Sequence, residues 1–263
     1  MNINGGEKIL MKKRIRVFLM FTTFLFIISF YIFCLQISVE AAGWGFSKNP
    51  NHLPPEIGKY ADVIKDTNSY YIGDEKNIYL TFDAGYDNGN LEGILDVLKN
   101  KKVKATFFVT GDFVNRFSDL TKRMVEEGHI VANHSYSHRS ITSLNNEELA
   151  SDLSKLENDF KNVTGVEMVK VFRPPKGEFD RKSLISLKEL GYKTVFWSIA
   201  YADWAKEHQR GKDYSYTSVI NNLHPGAIIL MHTVSTSNKE ALPDIIDEIR
   251  KQGYEFSDVT KLC

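Results

Sequence analysis

The chain has few cysteines, no excess charge of either sign, no tandem repeat and a single long apolar run. Of its 263 residues two are cysteine, and 33 Lys+Arg balance 33 Asp+Glu. Two cysteines cannot form a disulfide framework, and a net charge of zero gives no global field for attracting nucleic acid. The composition that remains, 43% hydrophobic and 25% charged, is that of an ordinary globular protein and excludes a disordered tail.

The first forty residues read as an address. Lys12, Lys13, Arg14 and Arg16 form a basic flank, and the stretch from Val17 to Leu35 is apolar except for Thr22, Thr23 and Ser29. A run of that length lies at the lower limit for spanning a bilayer and exceeds most signal-peptide cores. Val39-Glu40-Ala41 before Ala42 resembles a small-residue cleavage site. Residues 1–42 are therefore read as a signal peptide or an N-terminal membrane anchor, and the basic flank sends the rest of the chain outward in both cases. Taking five cations and two anions away from 33 of each leaves an exported part with 28 and 31, mildly acidic. Cys34 falls inside the apolar run, so Cys263 is the only cysteine of that part and forms no internal disulfide.

Residues 43–74 lack periodicity and hold Pro50, Pro54 and Pro55, which predicts an irregular lead-in packed on the domain, with Trp44 and Phe46 as anchors. From residue 75 to 263 apolar runs alternate with amphipathic stretches. Strands are predicted at 77–82, 103–109, 130–132, 168–172, 194–199, 227–231 and 254–259. Helices are predicted behind a capping Asn90, from Ser118 to Gly128, through Leu149 to Val163 up to Gly165, through Leu184 to Leu190, near 216–223, and through Leu242 to Ile249. About seven strands alternating with helices give an α/β fold with a parallel sheet, closed or open, in one domain.

The polar residues that stand out follow these strands, where barrels and open α/β sheets place their active sites. Asp83 follows the first, His134 and His138 the third, Arg173 the fourth, Asp203 the fifth and His232 the sixth. The two histidines are four apart, so a helical turn would present both imidazoles to one divalent metal. Asp83 at a strand end suits a general base, and His232 suits a general acid because its ordinary pKa lies near neutrality. Pro174-Pro175 keeps Arg173 extended, so its guanidinium can grip the base carboxylate in a bidentate pair. Asp203 can orient His232, and Trp204 can wall the pocket. A glycosidase would need a second carboxylate where this chain has His232.

The order Thr81-Phe82-Asp83, His134-Ser135-x-x-His138, Arg173-Pro174-Pro175-x-Gly177, Asp203-Trp204 and Leu230-x-His232 resembles the polysaccharide deacetylases of the NodB-homology type, carbohydrate esterase family 4, over residues 75–260. That resemblance implies a distorted (β/α) barrel that removes N-acetyl groups from sugars with a divalent metal, Zn2+ being expected. It implies Asp83 as base, His134 and His138 as ligands, Arg173 as partner of Asp83, Asp203 as partner of His232, and His232 as acid. The Lys176 backbone N–H, where the family often has Tyr, would face the oxyanion.

Two positions depart from the family pattern. Ala84 stands where the family usually has a second aspartate as third ligand, which weakens metal binding unless Asp83, Asp87 or Asn88 compensates. Ala200 stands where the fourth motif often begins with Asp. Phe82-Asp83-Ala84-Gly85-Tyr86-Asp87-Asn88-Gly89, with Trp197 to Trp204, Gly211 to Tyr214 and His232 to Ser235, is similar to the subgroup acting on N-acetylmuramic acid in peptidoglycan. That likeness implies muramic δ-lactam in spore cortex as the product, on glycan strands already stripped of peptide by an amidase. An N-acetylglucosamine deacetylase and a glycan-binding module without catalysis are the alternatives. No nucleic-acid partner is expected, and the membrane is met only through the N-terminal segment.

Overall fold

The computed structural model describes residues 42–48, 51–205 and 207–262, together with 11, 13, 14, 16–24 and 26. The chain divides into two units, Met1–Glu40 and Ala41–Cys263. In the first, the described residues are helical, and among described residues no helix is long and apolar enough to cross a membrane. Most of the apolar run's second half, the Val39-Glu40-Ala41 segment and both cysteines lie outside the described residues.

In the second unit the strands are β1 (Ala42–Gly43), β2 (Ser69–Tyr70), β3 (Asn77–Ala84), β4 (Thr106–Val109), β5 (Ile130–Asn133), β6 (Val171–Phe172), β7 (Glu178–Phe179), β8 (Lys193–Val195), β9 (Ile228–His232) and β10 (Glu255–Phe256). One parallel sheet runs β10-β3-β4-β5-β6-β8-β2, and β9 also pairs with β3. The sheet curls until the chain just past β8 meets β9 through an isolated bridge, Ile199 to Ile229. This is the distorted barrel, with its closure reduced to that bridge and the bonds around it, such as Leu230 N–H to the Ile199 carbonyl at 2.9 Å.

The strands are short, hydrophobic and buried on both faces because helices cover the outside and side chains fill the inside. Phe82 and Phe107 stack at 5.2 Å within a core that also takes Leu91, Ile94 and Leu98 from helix Leu91–Asn100 and Leu242, Ile245 and Ile249 from helix Thr236–Lys251. Helix Asn146–Thr164 starts on a capping box between Asn145 and Glu148 and stops at Gly165, whose φ of 78° only glycine adopts readily.

Several predicted boundaries move. The first strand runs two residues further and includes Asp83, whereas the fourth shrinks to two residues and the fifth ends at Val195. The helix expected near 216–223 begins at Lys212. Asn90 does not cap its helix by side chain; it bonds to the Val234 carbonyl and Thr236, and Asp87 Oδ1 accepts the Leu91 N–H instead. The lead-in is more regular than its sequence suggests. It supplies β2 to the edge of the main sheet and β1 to an antiparallel pair with β7. Trp44 does anchor it, stacked on Phe196 at 4.3 Å with its indole N–H on the Trp197 carbonyl.

Candidate active site

The carboxyl ends of β3, β5, β6 and β9 open into a cavity of about 590 Å³ lined by Asp83, His134, His138, Lys176, Trp204 and His232, with Tyr86, Trp197, Leu230 and Val234 among its walls. The register puts Asp83 directly opposite His232 across β3 and β9, so neighbouring strands deliver the two groups to one floor.

Asp83 is buried, and its Oδ1 accepts a hydrogen bond from Arg173 Nη1 at 2.8 Å. The expected bidentate grip is not formed. Two other guanidinium N–H groups go to carbonyls at and just past the end of β8, Nε to Val195 at 3.2 Å and Nη2 to Phe196 at 3.3 Å, and the plane lies over the Phe108 ring. A fully buried cation cannot leave such donors unmet, so it spends them on backbone and gives the carboxylate one. Burial pushes the Asp83 carboxyl up, but His134, Arg173 and His232 outweigh it and hold it below the ordinary carboxylate range. At neutral pH His134 is itself uncharged, so Arg173 is the permanent counter-charge.

His134 and His138 come together, but not on a helical turn. Residues 134–138 form a loop in which Ser135 and His138 adopt positive φ, 69° and 55°. The loop is held from outside: Asp152 accepts the N–H groups of Tyr136 and Ser137 at 2.7 and 3.1 Å, and Ser135 Oγ accepts the His138 N–H at 3.0 Å. Gly111 lies beneath it, where a Cβ would overlap the Tyr136 ring. The two imidazole centroids end 5.1 Å apart.

His134 Nδ1 donates to the Arg173 carbonyl at 2.8 Å, which leaves Nε2 as a lone pair. Burial lowers its pKa to about 4 and lowers that of His138 as well, so both rings are neutral ligands near pH 7.

His232, at the end of β9, is fixed by Asp203. Its Nδ1 donates to Asp203 Oδ1 at 2.7 Å and its backbone N–H to Oδ2 at 2.8 Å. Burial alone would lower its pKa, but the Asp203 hydrogen bond and charge raise it, so His232 carries its proton further into the neutral range. Trp204 is 59% exposed, with its ring 5.9 Å from the His232 ring. Lys176 sits in a short turn at a φ of 57°, on the rim of the cavity.

Residues 71–195 match the family model described as polysaccharide deacetylase. The chain is 45% identical over 226 residues to the peptidoglycan-N-acetylmuramic acid deacetylase PdaA of Bacillus subtilis, covering 85% of this chain and 86% of that one. The solved structure of PdaA, a family 4 carbohydrate esterase, superposes with a TM-score of 0.83 at 43% identity over 86% of this chain and 98% of that one. The chain belongs to the polysaccharide deacetylase family. A peptidoglycan-N-acetylglucosamine deacetylase of Bacillus cereus is 34% identical over 193 residues, 72% of this chain and 88% of that one.

Polysaccharide deacetylases of carbohydrate esterase family 4 are metal-dependent hydrolases of amide bonds, and the donor set here fits an ion. His134 Nε2 and Asp83 Oδ2 face each other with lone pairs across 3.4 Å, an arrangement that calls for something positive between them. Two neutral imidazoles and one carboxylate oxygen suit a borderline divalent metal. Among the described residues no group of three or more His, Cys, Asp or Glu has a complete metal-holding geometry. Ala84, buried at the position where the family pattern has a second aspartate, adds no oxygen to such a group. Neither Asp87 nor Asn88 compensates: Asp87 accepts the Gly89 and Leu91 N–H groups and Asn88 donates to the Val234 carbonyl. Only Asp83 remains for the task, and it is shared with Arg173.

Sequence reasoning assigned no role to Tyr86 or Trp197, although both fall inside motifs it quoted. It missed Asp152, which no pattern marks, and Asn238, which bonds to Asp203 Oδ2 at 2.7 Å. Asn238 carried a usable signal. It lies three, four and seven residues before Ala241, Leu242 and Ile245, a polar residue on an apolar helix face.

Proposed function

We propose that this polysaccharide deacetylase removes the acetyl group from N-acetylmuramic acid in peptidoglycan. The observation that carries the chemistry is Asp83 facing His232 across β3 and β9, one kept ionised beside a buried arginine and the other with its pKa raised by a buried aspartate.

Asp83 takes a proton from the attacking water as it adds to the acetamide carbonyl. The Lys176 N–H stabilises the oxygen as it becomes negative. His232 then gives its proton to the departing nitrogen, so acetate and a free amine result. His134, His138 and Asp83 Oδ2 would hold the divalent metal, Zn2+ in this reading, which when bound polarises the carbonyl and acidifies water.

The muramic substrate is supported by the extent of likeness to PdaA and by the run from Phe82 to Gly89. In this reading the strand arrives already stripped of peptide by an amidase, the freed amine closes on the lactyl carboxyl to give δ-lactam, and the protein acts outside the cell in spore cortex, exported by its N-terminal segment.

The test is mass spectrometry of muramidase-digested, peptide-free peptidoglycan after incubation with the protein. Loss of acetyl and then water from muramic residues is the expected result. Loss of acetyl from glucosamine residues would keep the chemistry and replace the substrate, and no change with any added metal would favour a glycan-binding module.

A further inference from the structure

Behind the acid lies a second layer of buried polar groups. Asn238, in the first turn of helix Thr236–Lys251, is fully buried with every side-chain polar atom engaged. Its Nδ2 donates to Asp203 Oδ2 at 2.7 Å and to the His232 carbonyl at 3.2 Å. Its Oδ1 accepts the hydroxyls of Tyr201 at 2.8 Å and Ser215 at 2.9 Å, and its backbone N–H donates to Ser235 Oγ at 3.1 Å.

A buried amide is costly unless its partners are in place, and an apolar residue would suit this helix face more simply. What the amide adds is a hydrogen bond from a separate element to one oxygen of Asp203, while the other oxygen holds His232 Nδ1. The other donor to Asp203 Oδ2 is the His232 backbone N–H at 2.8 Å, at the end of β9, so a helix and a strand hold that oxygen from two sides.

We propose that Asn238 is a positioning residue for the deacetylation: by anchoring Asp203 Oδ2 it fixes the carboxylate plane, keeps Oδ1 on His232 Nδ1 and leaves His232 Nε2 facing the cavity. The terminal torsion of an aspartate is broad, so removing this anchor lets the plane turn and spreads the orientations of the acid. Tyr201 and Ser215 in turn hold the Asn238 amide the right way round. The proposal rests on His232 being the acid.

The experiment is a double-mutant cycle on peptide-free peptidoglycan oligosaccharides, reading kcat and KM separately. Asn238→Ala is expected to lower kcat about 10- to 50-fold with KM within about twofold, and to cost nothing further in an Asp203→Ala background. Tyr201→Phe, a milder change, is expected to lower kcat severalfold with the same loss of effect in that background. An unchanged kcat in folded Asn238→Ala, or a loss that multiplies with that of Asp203→Ala, would overturn the proposal. Should Asn238→Ala fail to fold, Tyr201→Phe decides by the same criterion. Wild-type turnover in His232→Ala would instead remove the acid assignment and this inference with it.

Discussion

The floor of the site contains two carboxylates, each hydrogen-bonded to a cationic or cationisable partner, and the pairs are built in opposite ways. Asp83 pairs with a guanidinium that is always charged, fully buried and tied mainly to backbone, so the carboxylate stays ionised, the state that the proposed base requires. Asp203 pairs with an imidazole that titrates, and its hydrogen bond and charge raise that ring's pKa against the effect of burial, which suits the proposed acid. In the proposed mechanism one carboxylate takes part in the reaction and the other acts only through its histidine. Which of them does so is decided by the partner's chemistry, since both are buried aspartates.

Asp83→Asn should break the first pair with the largest effect. It removes the base and leaves the Arg173 charge uncompensated, so kcat should fall about 10³-fold or more and stability by about 3 kcal/mol. Steady-state kinetics with thermal unfolding checks both. His232→Ala tests the other pair. Its kcat should fall about 10²- to 10⁴-fold, yet the melting temperature should move less than in Asp83→Asn, because Asp203 keeps the Asn238 amide and the residue 232 N–H. Equal destabilisation by the two changes would contradict the contrast drawn between the pairs.

Chelation should act on the first pair alone. Activity should drop and return on adding Zn2+, and binding followed by calorimetry should weaken in His138→Ala while remaining in His232→Ala. Arg173→Lys keeps the charge but loses the planar fork and its carbonyl contacts, so it should lower stability by about 2 kcal/mol with a smaller loss of kcat than Asp83→Asn.

The effect smallest at neutral pH involves a buried ring, His129, whose nearest carboxylate partner among the described residues is Glu127 at 3.9 Å. Burial, with Lys104 adding to it, lowers its pKa to about 4, below the ordinary value. A histidine lowered on folding binds more protons when unfolded, so its contribution is present above about pH 6.5 and lost as pH falls toward about 4. The full loss is on the order of 3 kcal/mol. Melting curves across that window should be flatter for His129→Gln; an unchanged slope would show that His129 is not the group responsible.

The alternation of apolar runs and amphipathic stretches made the strand-helix order and the position of the site legible, because strand ends in such folds collect polar side chains. Asp83, His134, Arg173, Asp203 and His232 were visible as polar residues just past apolar runs. Less was legible where tertiary contacts override local pattern. The His134–His138 spacing suggested a helix turn, yet Asp152, fourteen residues after His138, holds those residues in a loop with two positive-φ positions. The proline-bearing lead-in hid β1 and β2, since two-residue strands have no periodicity to read and exist only through their partners. That Arg173 gives Asp83 one hydrogen bond and not the expected two was likewise invisible, because it depends on where the Val195 and Phe196 carbonyls point.

The pairing of β1 with β7 has a consequence for how the site comes into being. Ala42 and Gly43 pair with Phe179 and Glu178, and Trp44 N–H bonds to the Gly177 carbonyl at 2.8 Å, directly beside the Lys176 turn. A ribosome makes one end of this contact early and the other well over a hundred residues later, so the closure entropy of a long loop must be met before the turn is braced. The Lys176 side of the cavity is therefore among the last parts to set. Trimming the chain so that it begins at Gly45, without Trp44, should leave a folded barrel whose Lys176 turn exchanges its amide protons faster than in the full chain.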